Sequence, residues 1–131
     1  MTEAATLLSL AEAVLSWEGV PFRLEAAIGL AIGLPPELDS LPYLSSVDAA
    51  LTVVPPEHTV HLSDWEYESL RAKGPWMAIV LPRNTRGRGS DFSFVNRCQH
   101  APTPAKALLC ASLRARAYQL IPPPSSKETA Q

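Results

Sequence analysis

Apolar residues at Leu7, Leu10, Ala11, Val14 and Leu15 recur at the three- and four-residue spacing of a helix surface. The chain therefore opens on an amphipathic helix from Glu3 to about Trp17. Gly19 ends it, and Pro21 starts a second helix through about Ile32. Leu24, Ala27, Ile28, Ala31 and Ile32 form one face of that helix, with Arg23 and Glu25 off it, and Gly33 with Pro35 and Pro36 supplies the stop. The connection GLPPELDSLPYLSS, from Gly33 to Ser46, is broken by prolines and holds no long regular element. A short helical turn from Ser46 to about Val53 comes next, with Ser45 or Ser46 as its cap.

The period then changes. Thr59, Val60, His61 and Leu62 are β-formers and predict a strand that Asp64 and Trp65 extend. The polar run EYESLRAKGP predicts a loop. Trp76, Ala78 and Val80 alternate with Met77, Ile79 and Leu81, so both faces are apolar, the pattern of a central strand in a small sheet. Pro82 closes it, and the tip PRNTRGRGS leads to a third strand, where Phe92 and Phe94 alternate with Ser93 and Val95 and Cys98 is the end. APTP interrupts that strand. Thr103 is the N-cap, and Pro104 the first residue, of a last helix running to about Leu120.

This order predicts one α+β domain over residues 1–121, with a disordered tail at 122–131. Its sheet is three-stranded and antiparallel, because short links join consecutive strands. The last helix packs on the sheet and the N-terminal helices form another layer, in an α/β/α sandwich. A sheet apolar on both faces needs a second cover. The leading helix, residues 3–18, supplies it, or a second copy does so in a homodimer.

At 131 residues, with 47% hydrophobic and 18% charged positions, the chain lies in the range of a folded single domain and outside that of disordered chains. A net charge of -2 argues against general nucleic-acid binding, since any basic surface must be local. Glu3 and the lack of a basic stretch before the first apolar residues speak against a signal peptide, and no apolar run has the length of a membrane span. A cytosolic protein is expected. Cys98 and Cys110 are accordingly read as reduced, buried thiols and not as a disulfide.

Reactive constellations are sparse. His58 and His61 are an odd number of residues apart on a strand and so point to opposite faces. Cys98 and His100 are two apart and can share one, but two ligands do not make a zinc site, and no orienting acid accompanies them as a nucleophile and base. A solvent-facing turn is expected for His100. Asp64, Glu66 and Glu68 form a solvated acidic loop with nothing apolar to raise a pKa. Neither a metal nor an organic cofactor is expected. The basic tip is different: Arg83, Arg86 and Arg88, interleaved with Gly87 and Gly89, suit phosphate oxygens or an acidic protein surface, although no Gly-Lys-Ser/Thr and no helix follow as in a P-loop. Trp65 and Trp76, near the ends of adjacent strands, are expected to pack across the sheet, with stacking on a nucleotide base as the binding alternative.

The segment Pro42-Tyr43-Leu44-Ser45-Ser46-Val47-Asp48-Ala49-Ala50-Leu51 follows a helix ending in Ile-Gly-Leu and a proline-rich link. Together with Thr103-Pro104-Ala105-Lys106-Ala107-Leu108-Leu109-Cys110-Ala111, it resembles the phage ABA sandwich domain over residues 20–118. That resemblance implies a layered α/β body and a phage or prophage source, and it brings no catalytic residues. The leading helix and the Arg-Gly tip depart from the family's pattern. The expectation is therefore a small non-enzymatic binding protein working in the bacterial host cytoplasm. It acts on a host protein or complex as an inhibitor of a defence system such as CRISPR interference. The alternatives are a sponge for a nucleotide signal, with the three arginines on phosphate and Trp65 or Trp76 on the base, and a virion or assembly component.

Overall fold

The computed structural model describes residues 2–34, 41–83 and 97–120. Helix α1 spans Glu3–Ser16, with the Thr2 hydroxyl accepting from the Ala5 amide as its N-cap. Helix α2, Pro21–Ala31, begins on the proline that presets its φ. Helix α3, Val47–Leu51, is capped by Ser46, whose side chain accepts from the Ala49 amide. Strand β1, His58–Asp64, is joined to strand β2, Trp76–Pro82, through the one-turn helix α4, Glu68–Arg71. Strand β3, Arg97–Ala101, leads into helix α5, Pro104–Gln119, capped by Thr103 on the Lys106 amide.

The strands make one antiparallel sheet in the order β1-β2-β3, with β2 central as its apolar faces require. β1 and β2 pair in continuous register from His58 opposite Pro82 to Asp64 opposite Trp76. β2 and β3 pair Ile79 with Arg97, Ala78 with Cys98 and Trp76 with Ala101. Between the last two pairs lies one residue of β2 but two of β3, which is a bulge.

Three expectations change here. The run from Glu66 to Pro75 is not wholly a loop, because α4 forms within it. No side chain caps this helix at Tyr67, and its register comes from main-chain bonds to the Tyr67 and Glu68 carbonyls. The last strand continues past Cys98 to Ala101, since pairing with Trp76 outweighs the proximity of Pro104. Glu25 is buried, where the helix pattern puts it off the apolar face. Its Oε2 accepts from the Leu44 amide at 3.0 Å and ties the chain entering α3 to α2. The expected third-strand residues Phe92 and Phe94, and the tail 122–131, lie outside the described residues.

Helix α5 is the centre of the molecule. Every residue from Ala107 to Leu113 is buried, so the helix has no solvent side along two turns. One flank meets β2 and β3, another α1, and a third α3, while α2 rests on α1. The first helix therefore covers α5 and not the second face of the sheet. The α+β class, the antiparallel three-stranded sheet and the flanking helices are those the pattern predicts. Alanines at 105, 107, 111, 115 and 117, all buried, allow the close approach of neighbours on several sides. The arginines of α5 secure it to its surroundings: Arg114 donates from a terminal nitrogen to the Arg97 carbonyl, and Arg116 from Nε to the Val53 carbonyl.

Candidate binding surface

Alternation along β2 separates two faces. Ala78 and Val80 are fully buried against α5, with Trp76 packed at the edge of the same core. Met77, Ile79 and Leu81 point the other way and are half-buried. Register carries this second face across the sheet. Thr59, His61 and Ser63 of β1 stand opposite Leu81, Ile79 and Met77, and Arg97 of β3 stands opposite Ile79. The result is a central apolar stripe flanked by hydroxyls, an imidazole and a guanidinium. No helix of the described residues is packed on it.

One end of this surface is built by Trp65 and His100. The Trp65 amide donates to the Pro75 carbonyl at 2.8 Å, prolonging the β1–β2 pairing by a residue. The two rings stack with centroids 5.3 Å apart and planes at 24°. The His100 Nδ1 lies 3.1 Å from the Gly74 carbonyl. His100 is thus a partly buried strand residue and not part of a solvent-facing turn. The bulge is the reason. One extra residue in β3 undoes the even spacing from Cys98, so Cys98 turns inward while His100 lies on Trp65. The thiol of Cys98 meets the His100 main chain and the Cys110 thiol. Beside Trp65, Arg71 reaches Asp64 at 2.9 Å and the Trp65 carbonyl at 2.9 Å. The ion pair is exposed and contributes little to stability.

The other end carries Arg83. Its amide donates to the Glu57 carbonyl at 2.8 Å, and its side chain is exposed. Glu57 takes a positive φ of 62° in the turn that allows this bond. Arg86 and Arg88 lie outside the described residues. Seven residues of extended chain, about 23 Å, separate Trp76 from Arg83. The structure therefore does not bring Arg83 together with either tryptophan, and Trp65 and Trp76 do not share a surface.

The remaining candidates are dispersed. His58 is buried with its Nδ1 2.9 Å from the Pro56 carbonyl, whereas His61 is exposed on the other face. Glu66 and Glu68 are exposed, as is Asp64. Among the described residues no three His, Cys, Asp or Glu side chains are grouped as metal ligands, and no helix is long and apolar enough to cross a membrane. Sequence reasoning missed the Trp65–His100 pair because a bulge leaves no mark in local pattern. It also missed the buried Glu25, for which the only signal is a lone carboxylate beside Leu24 on a helix whose one other charge is Arg23. Comparison of the chain with protein-family models, with curated proteins and with solved structures gives no match.

Proposed function

We propose that the protein is a non-enzymatic binding protein that docks an acidic-rimmed protein surface on the sheet face bearing Met77, Ile79 and Leu81. The observation that carries this reading is the stripe Met77–Ile79–Leu81 on the central strand, half-buried and, among the described residues, without a packed helix. Charge selects the partner's character. Arg83, exposed, closes one end of that face, and among the described strand residues pointing the same way there is no carboxylate. An apolar centre with a basic rim is complemented by an apolar patch ringed with Asp and Glu. Trp65, stacked on His100, supplies a rigid aromatic anchor at the far end.

The specific form of the proposal is a phage or prophage product acting in the host cytoplasm on a component of a bacterial defence system. It rests on the sequence resemblance to the phage ABA sandwich domain. The nucleotide-sponge arrangement has less support, because Arg83 and the two tryptophans are far apart.

The test is affinity capture from a bacterial host lysate with the tagged protein and with Ile79→Lys, each checked for folding by circular dichroism. A host protein held by the parent, lost with Ile79→Lys and released by moderate salt supports the reading. Capture that is indifferent to Ile79→Lys and to Arg83→Glu refutes the assigned surface. Light scattering of the purified protein separates the remaining occupant, a second copy, which would give a dimer abolished by the same substitution.

A further inference from the structure

We infer that Cys98 and Cys110 form a buried dithiol that a peroxide or a small disulfide converts to an internal disulfide, fastening β3 to α5. Both cysteines are free and fully buried, one on the strand and one on the helix packed against it. Each thiol is the largest influence on the other's ionisation, so the two sulfurs are neighbours in the core. A small residue stands beside each cysteine. Ala78 is the register partner of Cys98, and Ala107 precedes Cys110 by one helical turn, both with no exposure.

The two thiols are inequivalent. Cys98 accepts from the Cys110 thiol and faces the His100 main-chain amide and the Arg114 charge, which together favour its thiolate. Cys110 is held protonated, as the donor of that bond and by burial. This divides the labour of a two-step oxidation. The Cys98 thiolate attacks one peroxide oxygen, the O–O bond breaks, and the departing hydroxide takes up a proton to give water and a Cys98 sulfenic acid. Cys110 then loses its proton and attacks the sulfenic sulfur. The S–S bond forms and a second water leaves. Two thiols have lost two electrons and two protons, and one peroxide has become two waters. With a small disulfide as oxidant, Cys98 first forms a mixed disulfide, expelling one thiolate, and Cys110 displaces the second.

Neither sulfur touches solvent in the closed fold, so the oxidant enters during local opening. β3 lies at the edge of the sheet among the described residues, the position from which a strand separates most readily. Once formed, the bond closes that route.

The experiment treats the reduced, folded chain with hydrogen peroxide, then alkylates remaining thiols under denaturing conditions and digests with trypsin. Cleavage after Arg97, Lys106 and Arg114 puts the cysteines on separate peptides, residues 98–106 and 107–114. The expected result is loss of both free thiols, a single species in which these peptides are linked, and a higher melting temperature that reverts on reduction. Cys110→Ser should give no linked peptide and stop at sulfenic or further-oxidised Cys98. The inference is overturned if the parent keeps two alkylatable thiols at a peroxide dose that oxidises the guanidinium-unfolded chain. It is equally overturned if the linked peptides come only from dimers, or if Cys98 proceeds to sulfinic acid without a bond to Cys110.

Discussion

Replacing Gly74 by alanine tests how the end of the sheet bearing Trp65 and His100 is held. Gly74 has a φ of +144°, a conformation that L side chains rarely adopt. A Cβ at this position would stand 2.8 Å from both the Ala101 nitrogen and the His100 carbonyl carbon. Both are main-chain atoms of β3, so no side-chain rotation relieves the overlap. The backbone strain costs about 1–3 kcal/mol, and displacing a paired strand adds about 1–3 kcal/mol. Gly74→Ala should therefore destabilise the fold by about 2–6 kcal/mol. For a chain of this size that lowers the melting temperature by about 10 °C or more. Gly33 is the control. It also has a positive φ, +96°, but a Cβ there meets nothing within 4 Å. Gly33→Ala should cost only the strain, about 1–2 kcal/mol. Urea denaturation followed by far-ultraviolet circular dichroism gives both values. If the two variants agree within about 0.5 kcal/mol, the approach of Gly74 to β3 is not what limits this position.

Three further outcomes follow from the core and its clasps. Leu108→Ala, in the fully buried run of α5, should lower unfolding stability by about 2–5 kcal/mol in denaturant titrations, because the helix is enclosed and cannot collapse into the cavity. Glu25→Ala should cost about 1–3 kcal/mol by leaving the Leu44 amide without its acceptor, and Glu25→Gln, which retains an oxygen, should cost less. Burial is the main cause that holds the Tyr43 phenol above its usual pKa. Its contribution is intact below the unfolded-state pKa and is lost as the pH rises through the folded value, since the unfolded chain ionises first. Tyr43→Phe should thus show a shallower loss of stability than the parent above about pH 10, and parallel slopes in equilibrium unfolding there would contradict this account.

Local signals made much of the fold legible. Thr103 and Pro104 begin α5 where the sequence puts them, Ser46 caps α3, and the alternation in β2 marks both faces of the central strand. These features depend on residues within a few positions of one another. The stacking order of the layers does not. Nothing in the Leu7–Leu15 stripe of α1 distinguishes a sheet from a helix as its partner, and the alanines of α5 carry little amphipathic signal because all its sides are covered. α4 escaped detection because one turn without a side-chain cap is set by its surroundings. At the candidate surface, Met77, Ile79 and Leu81 were readable from alternation alone. The place of His100 was not, because it depends on a bulge in the pairing of two strands, and Cys98 and Cys110 become neighbours only when β3 folds back beneath α5.

The enclosure of α5 bears on how the chain acquires its shape during translation. The segment that fills the middle follows all the others in order, so α1, α3 and the inner side of the sheet have nothing to close upon until the ribosome has delivered the residues beyond Thr103. Until that moment the nascent polypeptide displays oily surfaces that holding chaperones recognise. Folding is then a late, concerted insertion, and a ribosome stalled before the final helix would leave a product fit for degradation and not a smaller working version of the protein.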